Sequence, residues 1–498
     1  MDKDLTSIQE MRNAVKKAKD AQKEFMTFSK ERIDSIVKAV AEAAYSHSKE
    51  LAEMAVFETG MGVVEHKIMK NEVGSRDVYE SIKDEKTVGV IREDTVNRVT
   101  EIAYPFGVVA AIIPTTNPTS TAMFKTIISL KTGNAIVVSP HPRAKKCTVE
   151  TLKICNEAAI KAGAPDGLIG WITEPTMEAT DGLMHHRDVD LILSTGGDSL
   201  VKAAYSSGKP AYGVGPGNVP VYIERTANVE KSVKQIVDSK TFDYGTICAT
   251  EQAIVVDESI KEKAIEEFKR NGSYFLNAEE KEKLEQIVWL GNRVNPAVVG
   301  VSAQKIADMA GIRVPADTRL LIAEETVVGK EAPLSVEILG PIFPLYTAES
   351  QEKAKEISLA LLNLGGRGHS FALHTNDDQV VQSFGEEMPV SRFMVNTLSS
   401  IGAVGATTGL TPSLTLGCGG YGGNISSDNI TARHLINIKR VAHGIKEVEV
   451  PRPGKGNHSS EANFSNVESR VKESIGDQPI NPEKIEELVR QILREYQN

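Results

Sequence analysis

The sequence predicts an α/β protein with a doubly wound parallel sheet and a second α/β domain. Short apolar runs typical of strands alternate with helical segments from residue 107 to about residue 395. Such alternation implies parallel strands joined by right-handed crossovers. The chain also has 498 residues, which is long for one hydrophobic core, so two or more domains are expected.

The chain begins with a helical pattern over residues 7–58. Ile33, Ile36, Val37 and Val40 illustrate the apolar residues that recur at intervals of three and four, with charged residues between them. This spacing predicts amphipathic helices. Residues 95–104 alternate instead in the manner of a half-exposed strand or hairpin arm.

Two alternating blocks follow, with a boundary expected near residues 225–240. The first block has predicted strands at 107–113, 135–138, 168–172 and 190–193, and helices at 119–131, at 145–161, after Pro175 and after Asp198. The second block has predicted strands at 219–223, 253–256, 342–346, 371–374 and 393–395, and helices at 261–270, 279–288 and 351–362.

Composition argues against several classes of function. The net charge of −10 disfavours nucleic acid as a partner, because phosphate binding needs a basic face. No apolar run approaches the roughly 20 residues that span a bilayer, and the polar start predicts no signal peptide. His185 and His186 lack a third ligand, so no metal is expected. The cysteines are too few and too scattered for a disulfide framework or a zinc site, which favours the cytoplasm; they are Cys147, Cys155, Cys248 and Cys418.

The composition changes after about residue 450. Residues 451–480 are rich in polar residues, Gly and Pro, which predicts a flexible linker. Residues 481–498 predict an amphipathic helix, with Asn481 as N-cap and Pro482 at the first helical position. Either the body of the protein or another protein must cover its apolar stripe. The stripe consists of Ile485, Leu488, Val489, Ile492, Leu493 and Tyr496.

Three glycine-rich segments either make room for a ligand or only turn the chain. Thr195, Gly196 and Gly197 follow a predicted strand and open a helix, where parallel sheets bind phosphate and ribose groups. Residues 213–218 enter the strand at 219–223, and residues 417–423 form the third segment. The pattern alone does not choose between the two interpretations.

Cys248 lies in a polar segment just before the predicted strand at 253–256. A lone intracellular cysteine is usually a small core residue. A glycine-containing polar turn at the start of a strand is, however, an exposed setting. Cys248 is therefore a candidate nucleophile.

Several of these segments occur in the order found in the aldehyde dehydrogenase superfamily, which the chain resembles over about residues 5–450. The shared segments are 112–118 (IIPTTNP), 194–197 (STGG), 245–248 (GTIC) and 337–341 (EILGP). More narrowly, the chain is similar to the coenzyme-A-acylating branch at residues 114–120, 139–142, 213–218, 368–370 and 417–424.

The resemblance implies the three-part aldehyde dehydrogenase fold. A Rossmann-like cofactor domain would cover residues 1–230 and a catalytic domain residues 231–425. The arm at 95–104 and a strand near 434–441, in the return segment 426–450, would form an oligomerisation element. Such an element favours a homodimer or a homotetramer.

The resemblance also implies a thiol-dependent oxidation of an aldehyde by NAD. Cys248 would add to the carbonyl group to give a thiohemiacetal and then a thioester. The Cys248 N–H and the side-chain amide of Asn117 would stabilise the oxyanion, although Thr116 occupies the direct register of the asparagine found in hydrolytic relatives. Arg143 would face a 2′-phosphate if the cofactor were NADP. NAD would contact Ile113, Pro114, Thr115, Thr116, Ser139, Pro140, His141, Thr195, Gly196, Gly197, Gly213, Glu337 and Leu339, with Glu337 on the nicotinamide ribose.

One departure from the hydrolytic relatives indicates the acyl acceptor. Those relatives carry a glutamate that activates water, and Gly213 stands at the matching position here. The thioester would then react with the thiol of coenzyme A, so propanal or acetaldehyde, NAD⁺ and CoA would give acyl-CoA and NADH. His369 would deprotonate the CoA thiol, or it is a plain loop histidine.

The tail suggests the setting. In the branch resembling propionaldehyde and acetaldehyde dehydrogenases of bacterial microcompartments, a short helix on a linker packages the enzyme in a protein shell. Residues 481–498 would accordingly bind a shell protein and place the enzyme in the microcompartment lumen. Two alternatives remain, namely a hydrolytic aldehyde dehydrogenase that yields a free acid and a non-catalytic scaffold protein.

Overall fold

The computed structural model describes residues 3–450 except Asn292, and six residues of the tail: Asn481, Glu483, Lys484, Glu486, Glu487 and Arg490. Residues up to 94 and residues 99–441 form one compact unit. Residues 95–98 and the residues from 442 onward are grouped in a second unit. The first unit contains both large parallel sheets.

The N-terminal region is helical, as predicted for residues 7–58, and its apolar stripe is buried. The side chain of Ser29 caps one helix by accepting a hydrogen bond from the N–H of Arg32 at 3.3 Å. A π-helical turn at Val73–Asp77 separates the last two helices. The helices are α1 (Lys3–Phe25), α2 (Lys30–Ser46), α3 (Ser48–Thr59), α4 (Val64–Glu72) and α5 (Val78–Ile82).

A hairpin follows, formed by β1 (Gly89–Asp94) and β2 (Val99–Pro105), which pair antiparallel. The strand expected from residue 95 therefore begins four residues later than predicted. Residues 95–98 form a turn in which Arg98 has a φ of 52°, a backbone conformation that interrupts a strand. Strand β1 was not predicted because its residues are mostly exposed and show no clear alternation.

The first parallel sheet has the strand order β5-β4-β3-β6-β7. Its central strands β3 and β4 are buried along their whole length, as expected for strands covered by helices on both faces. The elements are β3 (Val108–Ile112), α6 (Pro118–Lys131), β4 (Ala135–Ser139), α7 (Lys145–Lys161), β5 (Ile169–Trp171), α8 (Met177–His185), β6 (Leu191–Thr195), α9 (Asp198–Ser206) and β7 (Ala211–Val214).

The second parallel sheet is built from the residues after 218. Its elements are β8 (Val219–Ile223), α10 (Val229–Thr241), β9 (Glu251–Asp257), α11 (Lys261–Arg270), β10 (Ser273–Phe275), α12 (Ala278–Val288), the short pair β11 (Trp289–Leu290) and β12 (Arg293–Val294), α13 (Ala303–Met309), β13 (Leu320–Glu324), β14 (Ile342–Ala348), α14 (Gln351–Gly365), β15 (Gly368–His374), α15 (Asp378–Glu387), β16 (Val390–Val395) and α16 (Ser399–Ala403). The strand order is β10-β13-β14-β9-β8-β15-β16.

The change from the first sheet to the second falls between Val214 and Val219. It precedes the boundary expected near residues 225–240, because β8 already pairs with β9 and β15 of the second sheet. The assignment of cofactor binding to residues 1–230 and catalysis to residues 231–425 remains a prediction.

The chain then returns to the hairpin, as expected for a strand near residues 434–441. Strand β17 (Ile436–Ala442) extends the hairpin to a three-stranded sheet of order β1-β2-β17. Nε of Arg440 lies 3.0 Å from a carboxylate oxygen of Glu101 on β2. The role of this sheet in oligomerisation stays a prediction.

The predicted linker 451–480 and the apolar stripe of the tail helix lie outside the described residues. Asn481 accepts a hydrogen bond from the N–H of Glu483 at 3.2 Å through its side chain, as an N-cap does. The other described tail residues are helical. In the described part of the chain, no helix combines the length and the apolar character needed to cross a membrane.

Candidate active site

Cys248 follows a strained turn just before strand β9. Asp243 and Tyr244 adopt φ values of 50° and 51°, which are uncommon for residues other than glycine. The turn leaves Cys248 partly exposed in a pocket with mostly apolar walls. The pocket is lined by Met69, Lys70, Val73, Asn117, Ser120, Thr121, Thr195, Phe242, Ile247, Cys248, Ile401, Val404, Ala406, Leu414 and Leu416.

Asn117 lies in this pocket at the N-terminus of α6. Its Nδ2 donates to the carbonyl oxygen of Thr246 at 3.2 Å and to Oγ1 of Thr116 at 3.1 Å. Thr246 is two residues before Cys248, so the amide lies close to the candidate nucleophile. The predicted role of Asn117 as an oxyanion donor stays a prediction, whereas the backbone carbonyl of Thr116 accepts from Lys67.

The loops after β3 and β6 meet at the carboxyl edge of the first sheet. Residues 113–116 follow β3, and Thr195, Gly196 and Gly197 lead from β6 into α9. The ammonium group of Lys125 ties the two strands together, because it donates to the carbonyl oxygens of Ile112 and Leu193, at 2.8 Å each. This arrangement is the crevice in which open α/β sheets bind ligands.

Ser139, Pro140 and His141 follow the adjacent strand β4. The Ser139 hydroxyl is buried and lies 2.8 Å from that of Thr180. Nδ1 of His141 accepts from the N–H of Arg143 at 3.1 Å, and burial lowers the pKa of the imidazole. The predicted contact of these residues with NAD stays a prediction.

Glu337 is joined to the glycine-rich segment 213–218. One of its carboxylate oxygens accepts from the N–H of Gly217 at 2.7 Å. Burial raises the pKa of Glu337 to about 7. Two residues further on, the carbonyl oxygen of Leu339 accepts from the N–H of Gly300 at 2.8 Å.

Gly217 brings three predicted site residues together. A Cβ at this position would overlap the carbonyl oxygen of Cys248 and lie 3.2 Å from Nδ1 of His369. The backbone of Gly217 therefore fits between Cys248 and His369 while its N–H binds Glu337. Only glycine allows this close approach.

His369 is fully buried beside Ser370, whose hydroxyl lies 3.0 Å from Nδ1. Nε2 has no hydrogen-bond partner among the described residues. Burial, together with the charge of Arg392, holds the pKa of His369 well below its ordinary value. The ring is thus neutral and has a nitrogen available as a proton acceptor.

The surroundings of Cys248 favour the protonated thiol over the thiolate. Burial raises its pKa to about 12, the negative charge of Glu337 contributes in the same direction, and Arg392 opposes the shift. Since the thiolate is the nucleophile, reaction requires a proton acceptor or a stabilising positive charge near the sulfur.

Gly213 lies in strand β7 with no space for a side chain. A Cβ there would approach Cγ1 of Val201 to 2.7 Å and the ring of Tyr205 to 3.1 Å. The backbone N–H of Gly213 donates to the Tyr205 hydroxyl at 2.9 Å. The structure therefore leaves no space for a glutamate side chain at position 213, where hydrolytic relatives were expected to carry one.

Two sets of buried cations near Cys248 were not predicted. Lys67 and Lys70 on α4 both bind Asp243, and Arg392 on β16 donates to the carbonyl oxygen of His369 at 3.1 Å. The sequence pattern suggests that the two lysines lie on a solvent-exposed face of a helix. Their partner Asp243 is 173 and 176 residues away in the chain, so the pattern does not reveal the ion pairs. In the described residues, no three His, Cys, Asp or Glu side chains gather as metal ligands.

The fold and the site define a class of α/β protein. A cysteine and one side-chain amide lie in a mostly apolar pocket, and the carboxyl edge of the first parallel sheet forms a crevice of the kind that binds nucleotides. The aldehyde dehydrogenase family matches residues 4–286, and the chain belongs to this family. The predicted family and its α/β fold are confirmed.

Two individual relatives are similar to the chain over most of its length. The bifunctional aldehyde-alcohol dehydrogenase of Escherichia coli is 47% identical over 443 residues, covering 88% of this chain and 50% of that protein. The chain thus spans about half the length of this relative and of the similar aldehyde-alcohol dehydrogenases. An acetylating aldehyde dehydrogenase from Geobacillus thermoglucosidasius has a crystal structure that is 55% identical, with a TM-score of 0.89 over 90% of this chain and 100% of that chain.

More distant structures share the fold. A propionaldehyde dehydrogenase from the fucose utilisation microcompartment of Clostridium phytofermentans is 30% identical, with a TM-score of 0.79 over 87% of this chain and 97% of that chain. A propionaldehyde dehydrogenase from Rhodopseudomonas palustris, whose structure holds CoA and an acylated cysteine, is 29% identical with a TM-score of 0.78 over 87% of this chain and 97% of that chain.

Proposed function

We propose that the chain is a CoA-acylating aldehyde dehydrogenase, which converts a short aldehyde, NAD⁺ and CoA into acyl-CoA and NADH. The observation that carries this proposal is the pocket of Cys248, whose described lining includes Asn117 but no carboxylate. A thiol and an amide suit the formation of a covalent adduct, but this lining offers no base to activate water. The acetylating relative from Geobacillus and the CoA-bound relative from Rhodopseudomonas support the same acceptor.

In the first half-reaction, the thiol of Cys248 releases its proton to solvent, its sulfur bonds to the carbonyl carbon of the aldehyde, and the carbonyl oxygen becomes an oxyanion. The N–H of Cys248 and Nδ2 of Asn117 donate to that oxygen, and the amide gives up its present hydrogen bond to the Thr116 hydroxyl to do so. NAD⁺, held at the carboxyl edge of the first sheet, would supply the acceptor for the hydride that this oxidation releases. The oxyanion then collapses to a carbonyl group, leaving a thioester on Cys248.

In the second half-reaction, the CoA thiol loses its proton and its sulfur attacks the thioester carbon. Nε2 of His369 is the proposed acceptor of that proton, because it lacks a partner among the described residues and the ring is neutral. The bond to Cys248 breaks, the Cys248 thiolate takes up the proton held by His369, and acyl-CoA leaves. The energy of the thioester is conserved, so the reaction is reversible.

The first sheet fits NAD at its carboxyl edge. The Thr195 hydroxyl is buried and has no partner among the described residues. At Gly197, where α9 begins, no atom lies within 4 Å of the position of a Cβ, which leaves the helix N-terminus accessible to phosphate oxygens. The cofactor would be held by residues 113–116, by Thr195, Gly196 and Gly197, and by Glu337.

The pocket favours an uncharged aldehyde such as propanal or acetaldehyde. Met69, Val73, Ile401 and Val404 supply apolar walls. The one lysine in the lining, Lys70, already donates to three acceptors. It therefore has no N–H left for the carboxylate of an acidic aldehyde.

The test follows NADH formation from propanal with and without CoA. Steady turnover should require CoA and should be lost in Cys248→Ala. Cys155→Ala is the matched control, because the pKa of Cys155 is likewise raised to about 12 but the residue lies in α7 and does not line the pocket. Steady turnover without CoA would instead favour the hydrolytic alternative, and inactivity of the wild type under all conditions the scaffold alternative.

We also propose that residues 481–498 direct the enzyme into a bacterial microcompartment by binding a shell protein. The apolar stripe in the sequence and the N-cap at Asn481 support this assignment, as does the microcompartment origin of the Clostridium relative. Deletion of residues 451–498 should leave the specific activity intact but abolish co-purification with shells. Entry of the truncated protein into shells would contradict the proposal.

The sheet formed by β1, β2 and β17 supports the proposal of a homodimer or a homotetramer. Its outer strands β1 and β17 are largely exposed, and unpaired strand edges favour association with another chain. Light scattering of the purified protein should give a dimeric or tetrameric mass. Arg92→Pro on β1 should lower that mass if this edge is used, and an unchanged mass would argue for another interface.

A further inference from the structure

A buried cluster of charged residues lies behind the pocket of Cys248, and the reaction described so far does not use it. Nζ of Lys67 and Nζ of Lys70 lie 2.9 and 2.5 Å from the same carboxylate oxygen of Asp243. The exposed fractions of the three side chains are 3%, 5% and 0%. Burial of charge is costly, so a function for the cluster has to be considered.

All three N–H groups of Lys70 have acceptors. Besides Asp243, Nζ donates to Oγ1 of Thr246 at 2.9 Å and to Oδ1 of Asn117 at 2.6 Å. Lys70 therefore does not offer a hydrogen bond to the substrate. Its influence on the reaction must pass through the groups that it holds.

The contact with Asn117 determines how the amide is oriented. An ammonium group only donates hydrogen bonds, so the atom of Asn117 facing Lys70 must be the carbonyl oxygen Oδ1. The amide nitrogen is thereby turned toward the carbonyl oxygen of Thr246, on the side of Cys248. Without Lys70 the amide could rotate and present its oxygen to the reacting carbonyl group.

The cluster also places positive charge beside Cys248. The pKa of Asp243 is lowered to about 2, against the opposing effect of its burial, because Lys70 and Lys67 favour its charged form. Burial lowers the pKa of Lys70 to about 8, and the charge of Asp243 opposes the shift. Two lysines thus share one carboxylate, and among the described residues neither forms an ion pair with another acid.

We propose that Lys70 is a positioning residue for the chemistry at Cys248: it holds the Asn117 amide in the donor orientation and supplies positive charge that is balanced when the thiolate or oxyanion forms. The proposal rests on the proposed function, since it assumes that Asn117 donates to the oxyanion. It adds a residue on α4 that no sequence motif of the site includes.

The test is a double-mutant cycle on the first half-reaction, measured as a single turnover of NADH formation from propanal without CoA. The variants are Lys70→Met, Asn117→Ala and the double variant. Lys67→Met separates the two parts of the proposal, because Lys67 shares Asp243 but donates to the backbone carbonyl of Thr116, whereas Lys70 donates to the side chain of Asn117. Lys131→Met is the control for stability, because Lys131 is equally buried and binds Asp34 at 2.6 Å away from the pocket.

Lys70→Met should lower the single-turnover rate by about 100-fold, as loss of an oxyanion donor does, and change the affinity for NAD⁺ by less than about threefold. Lys67→Met removes charge and a hydrogen bond to the Thr116 carbonyl but leaves the contact between Lys70 and Asn117, so it should lower the rate by less than about tenfold. In the double variant the rate should lie less than about tenfold below that of Asn117→Ala, because only the charge of Lys70 is left to lose once the amide is absent and coupled residues are not additive. Lys131→Met should keep the wild-type rate per folded molecule.

Three results would overturn the proposal: a near wild-type rate in Lys70→Met, equal losses in Lys70→Met and Lys131→Met, or additive losses in the cycle. None of these results affects the proposed acyl acceptor. Conversely, steady turnover of the wild type without CoA would overturn the proposed function, while the single-turnover cycle would still test Lys70. Absence of any NADH formation by the wild type would overturn both.

Discussion

The guanidinium group of Arg392 donates a hydrogen bond to the backbone carbonyl oxygen of His369, at a distance of 3.1 Å. The same group donates to the carbonyl oxygens of Gly417 and Ser427. One buried side chain thus joins strand β15, which carries His369, to the glycine-rich segment 417–423. This segment packs so closely that a Cβ on Gly368 would overlap the carbonyl oxygen of Cys418.

Replacement of Arg392 should therefore destabilise the protein. Arg392→Met leaves buried carbonyl oxygens without donors, which should lower the free energy of unfolding by about 2–4 kcal/mol. Urea unfolding followed by circular dichroism measures the change. Arg270→Met is the control, because Arg270 is 69% exposed and its loss should cost less than about 0.5 kcal/mol. Equal effects of the two substitutions would contradict this role of Arg392.

Gly217→Ala should lower activity sharply. The added methyl group would overlap the carbonyl oxygen of Cys248 and press on His369, so both groups must shift. Displacement of a catalytic group by about 1 Å costs on the order of 100-fold in rate, measured as kcat for propanal. Gly215→Ala provides the comparison, since no atom lies within 4 Å of its Cβ position. A fully active Gly217→Ala variant would show that the loop does not need this close approach.

Introduction of a glutamate at Gly213 should not create a hydrolytic enzyme. The side chain would overlap Val201 and Tyr205, and overpacking of this kind costs about 1–3 kcal/mol of stability. Gly213→Glu should therefore melt at a lower temperature than the wild type and show no turnover without CoA. Gly215→Glu, at an open position, should melt near the wild-type temperature. A stable Gly213→Glu variant that turns over without CoA would contradict the packing argument.

The reactivity of Cys248 without ligands should rise with pH. Burial favours the neutral thiol and raises the pKa to about 12, so below this value each higher pH unit increases the thiolate fraction about tenfold. The rate of alkylation of Cys248 by iodoacetamide, followed by mass spectrometry, should rise accordingly from about pH 6 to pH 9. A plateau near pH 7 would mean that a nearby group already stabilises the thiolate.

Much of the fold follows from local patterns in the sequence. Helices α7 and α11 and strand β8 begin and end at the predicted residues, because strong apolar periodicity or a continuous buried run marks them. Strands β1, β7 and β10 were missed since they are short, exposed or rich in glycine. Such segments are stabilised by pairing with other strands of the sheet. The local sequence pattern does not show this pairing.

Some residues of the candidate site could be predicted from the sequence, and others could not. Cys248, Asn117 and Glu337 lie in recognisable segments, and the structure brings Cys248 and Asn117 into one pocket. Lys70 and Arg392 were not found, because each matters only through partners that the fold brings to it. The contact between Lys70 and Asn117, for example, joins residues 47 positions apart.

The three-stranded sheet has a consequence for the order of folding. The ion pair between Glu101 on β2 and Arg440 on β17 joins residues 339 positions apart, whereas β1 and β2 are adjacent in the chain. Ribosomes synthesise about 5–20 residues per second. Strand β17 is therefore completed on the order of tens of seconds after the hairpin of β1 and β2. During that time a nascent chain exposes the pairing edge of β2, and this edge can pair with another chain unless a chaperone covers it.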